Sequence, residues 1–242
     1  MGRPQRHLIY RNLANATSIL GVLPLVLLFL EDGYRYLIPL IIFNNVMDDL
    51  DGVLAAKLNI RSRLGADLDN VCDAVAHVAM VFAVGAHFGG LVLMVSMIAA
   101  ASIILRATSR LDPDVVTGRG SPTNELMRHM LFVLLLTQIL DVDPGLYLVM
   151  MFMLHSVTMI VPFKLTLHIR GLARTATAVT IVNVALVAAW LIPTVTPLIA
   201  MAFITTYLYS LIIAGAQWLR EREHKPCLYN DCGCSRNHTV ME

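Results

Sequence analysis

Six aspartates interrupt two otherwise apolar segments in NNVMDDLDGVLAAKLNIRSRLGADLDNVCDAVAHV, residues 44–78. Asp48 and Asp51 are three residues apart, so on a helix they share a face. Asp69 and Asp73 are four apart and share a face of the next helix. Asp49 and Asp67 point elsewhere. Gly65 lies one turn before Asp69 on the same stripe, and Gly52 and Ala55 follow Asp51. Small residues there let a ligand or another backbone come close. Two facing helices joined by a short turn would bring Asp48, Asp51, Asp69 and Asp73 to one point. Four carboxylates cannot all stay ionised side by side without cations, and hard oxygen ligands suit Mg²⁺, Mn²⁺ or Ca²⁺. Adjacent metals can stabilise the attacking and leaving oxygens of a displacement. The basic turn with Lys57, Arg61 and Arg63 would attract phosphates. The chemistry these residues suit is phosphoryl-group transfer.

The elements that must position them are membrane helices. The chain has 242 residues, 57% hydrophobic and only 14% charged, with a mean hydropathy of +0.69. A soluble domain carries roughly 25% charged residues. The apolar runs approach the roughly 20 helical residues that cross a bilayer core. They are continuous rather than alternating, which argues against a β-barrel. The fold class is therefore all-α, a polytopic transmembrane helix bundle with helices near 13–30, 36–58, 66–88, 91–106, 127–140, 146–163, 176–192 and 195–219. Eight spans are expected; six would result if 91–106 and 146–163 did not cross. Arg3, Arg6, Arg11, Lys57, Arg61, Arg63, Arg106, Arg110, Arg119, Arg128, Lys164, Arg170, Arg174 and the Arg220–Arg236 cations fall on one side. Arg35 stands alone among cations on the other, with Glu31, Asp32, Asp141 and Asp143. The positive-inside rule puts the basic side, both termini and the aspartates in the cytoplasm. The first apolar run lacks an A-x-A type cleavage site and reads as a retained span. Residues 1–220 form one membrane domain and 221–242 a short polar tail.

Carboxylates in such segments are costly, about 2.5–3.5 kcal/mol each at a helix centre and less near the interface. Plain interfacial residues and an ion-coupled transporter are the competing readings. A transporter more often places its carboxylates near mid-membrane; these lie at the edge, beside a basic loop.

At these residues the sequence resembles the CDP-alcohol phosphatidyltransferase family. Its signature is D-x2-D-G-x2-A-R-x8-G-x3-D-x3-D, and Asp48, Asp51, Gly52, Ala55, Gly65, Asp69 and Asp73 match every spacing. Ala56 stands where the family has Arg, a phosphate contact; Lys57 is adjacent but turned by about 100°. The resemblance implies that a CDP-linked lipid, CDP-diacylglycerol, donates its phosphatidyl group to a small polar alcohol and releases CMP. It implies Mg²⁺ or Mn²⁺, one or two ions, on Asp48, Asp51, Asp69 and Asp73, with Asp73 also the general base. Asn15 and Ser18 in NATSILG fall where relatives contact the cytidine end, so with Gly52, Ala55, Lys57 and Gly65 they form the expected nucleotide site. TGRGSPTNE, residues 117–125, and VPFK, ending at Lys164, resemble the bacterial phosphatidylserine synthase branch. L-Serine is thus the expected acceptor, with Arg119, Ser121 and Lys164 as its contacts and Asn124 as a further candidate. VPFKLTLHIRGLAR also resembles the ending of bacterial phosphatidylcholine synthase, which makes choline the alternative. The family further implies a homodimer in a prokaryotic cell membrane, with the active site at its cytoplasmic face; no nucleic-acid partner is expected. A catalytically inactive relative is the rival that Ala56 favours.

Cys227, Cys232 and Cys234, with His224 and His238, read as a metal-free tail, since the spacing lacks a C-x2-C pair. His77, His87, His129, His155 and His168 are scattered and read as interfacial or packed residues.

Overall fold

A computed structural model of the chain describes residues 12–60, 62–112, 122–161 and 176–223. Among them are eight α-helices and no strand: α1 Leu13–Val22, α2 Leu37–Lys57, α3 Arg63–Phe88, α4 Gly90–Leu111, α5 Pro122–Leu140, α6 Gly145–Ile160, α7 Ala176–Leu191 and α8 Thr196–Glu223. The all-α membrane bundle expected from composition is what forms. Arg3, Arg6, Arg11, Arg61, Arg119, Ser121, Lys164, Arg170, Arg174, His168 and the cysteines and histidines of the tail lie outside the described residues.

The helix boundaries follow local chemistry. Pro24 lacks an N–H, so α1 passes into the tighter 3₁₀ turns Leu23–Phe29. Gly33 closes the following turn, where a Cβ would lie 2.5 Å from the Leu28 carbonyl oxygen. α2 ends with Asn59 in the left-handed region (φ 52°), and the Ile60 N–H turns back to the Ala55 carbonyl at 3.1 Å. Ser62 caps α3, its Oγ accepting from the Gly65 N–H at 3.0 Å. The hairpin from α2 to α3 is therefore short, and it places the two aspartate-bearing helix ends side by side. Two boundaries differ most from the apolar runs. α4 continues five residues further to Leu111, taking Arg110 onto the helix, and α5 begins at Pro122, five residues before its apolar run. The first turn of α5 is polar yet buried against α2, so hydropathy alone could not mark it.

Packing centres on α3. Ala76, Met80, Val81 and Val84 are fully buried, and α3 packs most extensively on α4. Gly85 permits this approach, because a Cβ there would fall 2.0 Å from Ser96 Oγ. α1 packs on α2 and α3, α4 on α6, and α5 on α6, α8 and α2; α7 joins α2 to α8. Inside the bundle, His129 Nδ1 meets His155 Nε2 at 2.9 Å, and Tyr207 OH lies 3.3 Å from His155 Nδ1 and 2.8 Å from Thr158 Oγ1. This buried chain ties α5, α6 and α8 together. His77 is packed in the interior and His87 stacks on Tyr34 at 3.5 Å.

The outward face is apolar: Phe29, Met94, Leu146, Ile181, Leu198 and Ile212 are exposed. Arg63–Phe88, Gly90–Leu111 and Thr196–Arg220 are long and apolar enough to cross a membrane, and Leu13–Phe29, Gly145–Ile160 and Thr177–Leu191 are shorter apolar helices. α2 is 21 residues long but carries three aspartates near one end.

Candidate active site

Asp48 and Asp51 project from the last turns of α2, and Asp69 from the second turn of α3. One carboxylate oxygen from each lies within 4.8 Å of the others. Asp51 is buried; Asp48 and Asp69 are half-buried. Two like charges at 4.8 Å repel by about 3.5 kcal/mol at an effective dielectric of about 20. Hydrogen bonds to charged groups contribute only about 1.5–3 kcal/mol each. Ser18 Oγ of α1 donates to Asp51 Oδ2, and Asn124 Nδ2 of α5 donates to Asp48 Oδ2. Three pairwise repulsions of this size favour a cation bound beside the ionised cluster.

A cavity of about 260 Å³ opens beside the cluster, lined by Asn15, Ser18, Asp51, Gly52, Ala55, Gly65 and Asp69 among others. Five of the six residues expected at the nucleotide site therefore share one cavity with two of the carboxylates. The two glycines serve it differently. A Cβ on Gly52 would meet nothing within 4 Å, so that wall stays open. A Cβ on Gly65 would stand 3.1 Å from both Asn15 Oδ1 and Ser62 Oγ, so that glycine lets α1 and α3 close up. Lys57 does not join them. It is exposed and lines a separate groove of about 550 Å³ between α2 and α7, with Asp49 and Asn183. The rotation between positions 56 and 57 on a helix accounts for this.

Asp73 lies one turn beyond Asp69, outside the three-carboxylate group. It lines a narrow crevice with Asn70, Arg106, Arg110 and Thr123. The crevice joins α3, α4 and the start of α5. Asn70 Nδ2 donates to the Ala107 carbonyl at 2.9 Å and fixes α3 against α4 there. The other aspartates point away, as their spacing predicts. Asp49 Oδ2 accepts from Asn183 at 2.8 Å and from Asn45 at 3.2 Å, and Asp67 pairs with Arg63 at 3.8 Å on the surface.

Sequence reasoning missed what stands behind the cluster. Arg128 Nε donates to Asn45 Oδ1 at 3.0 Å, and its Nη1 pairs with Glu125 Oε1 at 2.8 Å, with both side chains buried. The signal was present, because Asn45, Asp48 and Asp51 recur every three residues and Arg128 follows Asn124 by four. By charge alone Arg128 reads as one more cation of the basic side. Asn124, a further acceptor candidate by sequence, donates to Asp48.

The donor set fits a hard divalent cation: carboxylate oxygens from two helices, close together and bordering a cavity large enough for substrate groups. No curated protein matches the chain. The family model for CDP-alcohol phosphatidyltransferase matches residues 11–161. That match runs through α6 and so contains the helices that supply the cluster and the donors Ser18 and Asn124. The chain therefore belongs to the CDP-alcohol phosphatidyltransferase family, enzymes that transfer a substituted phosphate group from a CDP-alcohol to an acceptor hydroxyl.

Proposed function

We propose that the chain transfers a phosphatidyl group from CDP-diacylglycerol to the hydroxyl of L-serine, releasing CMP, in phospholipid biosynthesis. The observation that carries this reading is the convergence of Asp48, Asp51 and Asp69, at the family's spacing, beside the cavity that holds Asn15, Ser18, Gly52, Ala55 and Gly65. Asp48, Asp51 and Asp69, with Asp73 as a fourth carboxylate, would hold one or two Mg²⁺ or Mn²⁺ ions. Such ions offset phosphate charge and stabilise the oxygens of a displacement. Asn15 and Ser18 face the nucleotide from α1. Asp73 takes the proton of the acceptor hydroxyl, and the freed oxygen forms a bond to the lipid-side phosphorus. The bond from that phosphorus to the CMP oxygen breaks, and CMP leaves with the electron pair.

Serine is favoured by Arg106 and Arg110, which lie beside Asp73 and suit an acceptor carboxylate, in a crevice of about 10 Å³ that must widen to admit one. Choline would want aromatic faces or carboxylates; among the described residues the crevice has no aromatic side chain and one carboxylate, Asp73. Arg119, Ser121 and Lys164 are proposed as further acceptor contacts. The active site is proposed to face the cytoplasm of a prokaryotic cell, in a homodimer.

Purified protein given CDP-diacylglycerol, Mn²⁺ or Mg²⁺ and labelled serine, choline, inositol phosphate or glycerol phosphate tests this directly. Phosphatidylserine and CMP are the expected products. Absence of CMP with every acceptor would overturn the reading, and product with choline alone would move the acceptor. Ala56 supports one second reading, an inactive relative. The wild-type chain is expected to turn over, with Ala56→Arg lowering the KM for the donor several-fold; CMP release by the variant alone would establish the inactive relative.

A further inference from the structure

One stripe of α2 carries Asn45, Asp48 and Asp51, and a residue from another helix holds each of them. Arg128 of α5 holds Asn45, Asn124 of α5 reaches Asp48, and Ser18 of α1 reaches Asp51. Asn124 and Ser18, which donate to Asp48 and Asp51, are both neutral. A Lys or Arg in either place would cancel the negative charge that attracts a divalent cation, whereas an amide or hydroxyl orients the carboxylate and leaves its charge intact. The cation in this ladder, Arg128, sits one turn deeper and is matched by Glu125 at 2.8 Å. Asn124 is 3% exposed. With Asp48 ionised its orientation is fixed, because an ionised carboxylate can only accept and the NH₂ must face it.

We propose that Asn124 is a positioning residue for the cation site. It holds the Asp48 carboxylate beside Asp51 and Asp69, while the Arg128–Glu125 pair and Asn45 fix the register of α5 so that the amide arrives there. This rests on reading the three carboxylates as a divalent-cation site. It assigns Asn124 to the cluster and not to the acceptor.

The test measures Mn²⁺ affinity of the purified chain without substrate, from the electron paramagnetic resonance signal of free Mn²⁺. Asn124→Ala and the near-isosteric Asn124→Leu, which keeps the packing volume but has no donor, are each expected to weaken Mn²⁺ binding about tenfold. In an Asp48→Ala background the same substitutions should change affinity less than twofold, because the group they act through is gone. Wild-type affinity in whichever variant folds, even with a raised KM for the acceptor, would overturn the proposal. So would a tenfold loss that persists without Asp48. A wild-type chain that binds no Mn²⁺ would instead overturn the cation-site reading and this proposal with it.

Discussion

Asp69 and Asp73 sit one helical turn apart on α3, yet their surroundings differ. Asp69 faces Asp48 and Asp51 across the hairpin, with the Arg110 charge also near it, while Asp73 lines a crevice with Arg106 and Arg110 of α4. The division suits different duties, with cation holding on the first and proton removal on the second. Asp69→Asn should weaken Mn²⁺ binding and turnover together. Asp73→Asn should lower kcat by about 10²–10⁴ with a smaller change in Mn²⁺ affinity and an unchanged melting temperature. Initial rates of CMP release, set beside Mn²⁺ titrations, separate the two; a fully active Asp73→Asn variant would remove the base assignment.

The helices keep this arrangement through close approach and buried polar ties, since lipid chains supply little hydrophobic drive between them. α3 and α4 touch at Gly85, where even one methyl collides with Ser96. Gly85→Ala should destabilise the protein by about 1–3 kcal/mol, read as a lower melting temperature in detergent. The His129–His155–Tyr207–Thr158 chain does comparable work between α5, α6 and α8. Tyr207→Phe keeps the ring and removes the hydroxyl, leaving buried His155 and Thr158 groups without it. A loss of about 1–3 kcal/mol should follow with Mn²⁺ affinity unchanged, because none of these four residues reaches the carboxylates. A Tyr207→Phe variant as stable as wild type would show that the chain contributes little.

The whole bundle is polarised end to end. Lys57, Arg63, Arg106, Arg110 and Arg220 gather at the end that carries the carboxylates, while Arg35, Asp32 and Asp141 mark the other. If the basic end is cytoplasmic, cysteines at positions 57 and 141 must label from opposite sides. In a chain whose four native cysteines are replaced by serine, a membrane-impermeant maleimide applied to intact cells should modify Asp141→Cys and spare Lys57→Cys until the membrane is opened. The reverse pattern would place the active site outside.

Apolar runs and a 3.6-residue period are local properties, so the helices, the carboxylate faces of α2 and α3 and the outward turn of Asp49 and Asp67 were all legible in the chain. The 26-residue aspartate signature made the family legible as well. Long-range packing decided the rest. Ser18 meets Asp51 across 33 residues, Asn124 meets Asp48 across 76, and Asn183 meets Asp49 across 134. No periodicity encodes such pairs, and buried polar turns such as the start of α5 look like loop in any hydropathy profile. Lys57 shows the converse. Its charge and its place in the chain pointed to the nucleotide, but the helical rotation that carries Gly52 and Ala55 into the cavity carries Lys57 out of it.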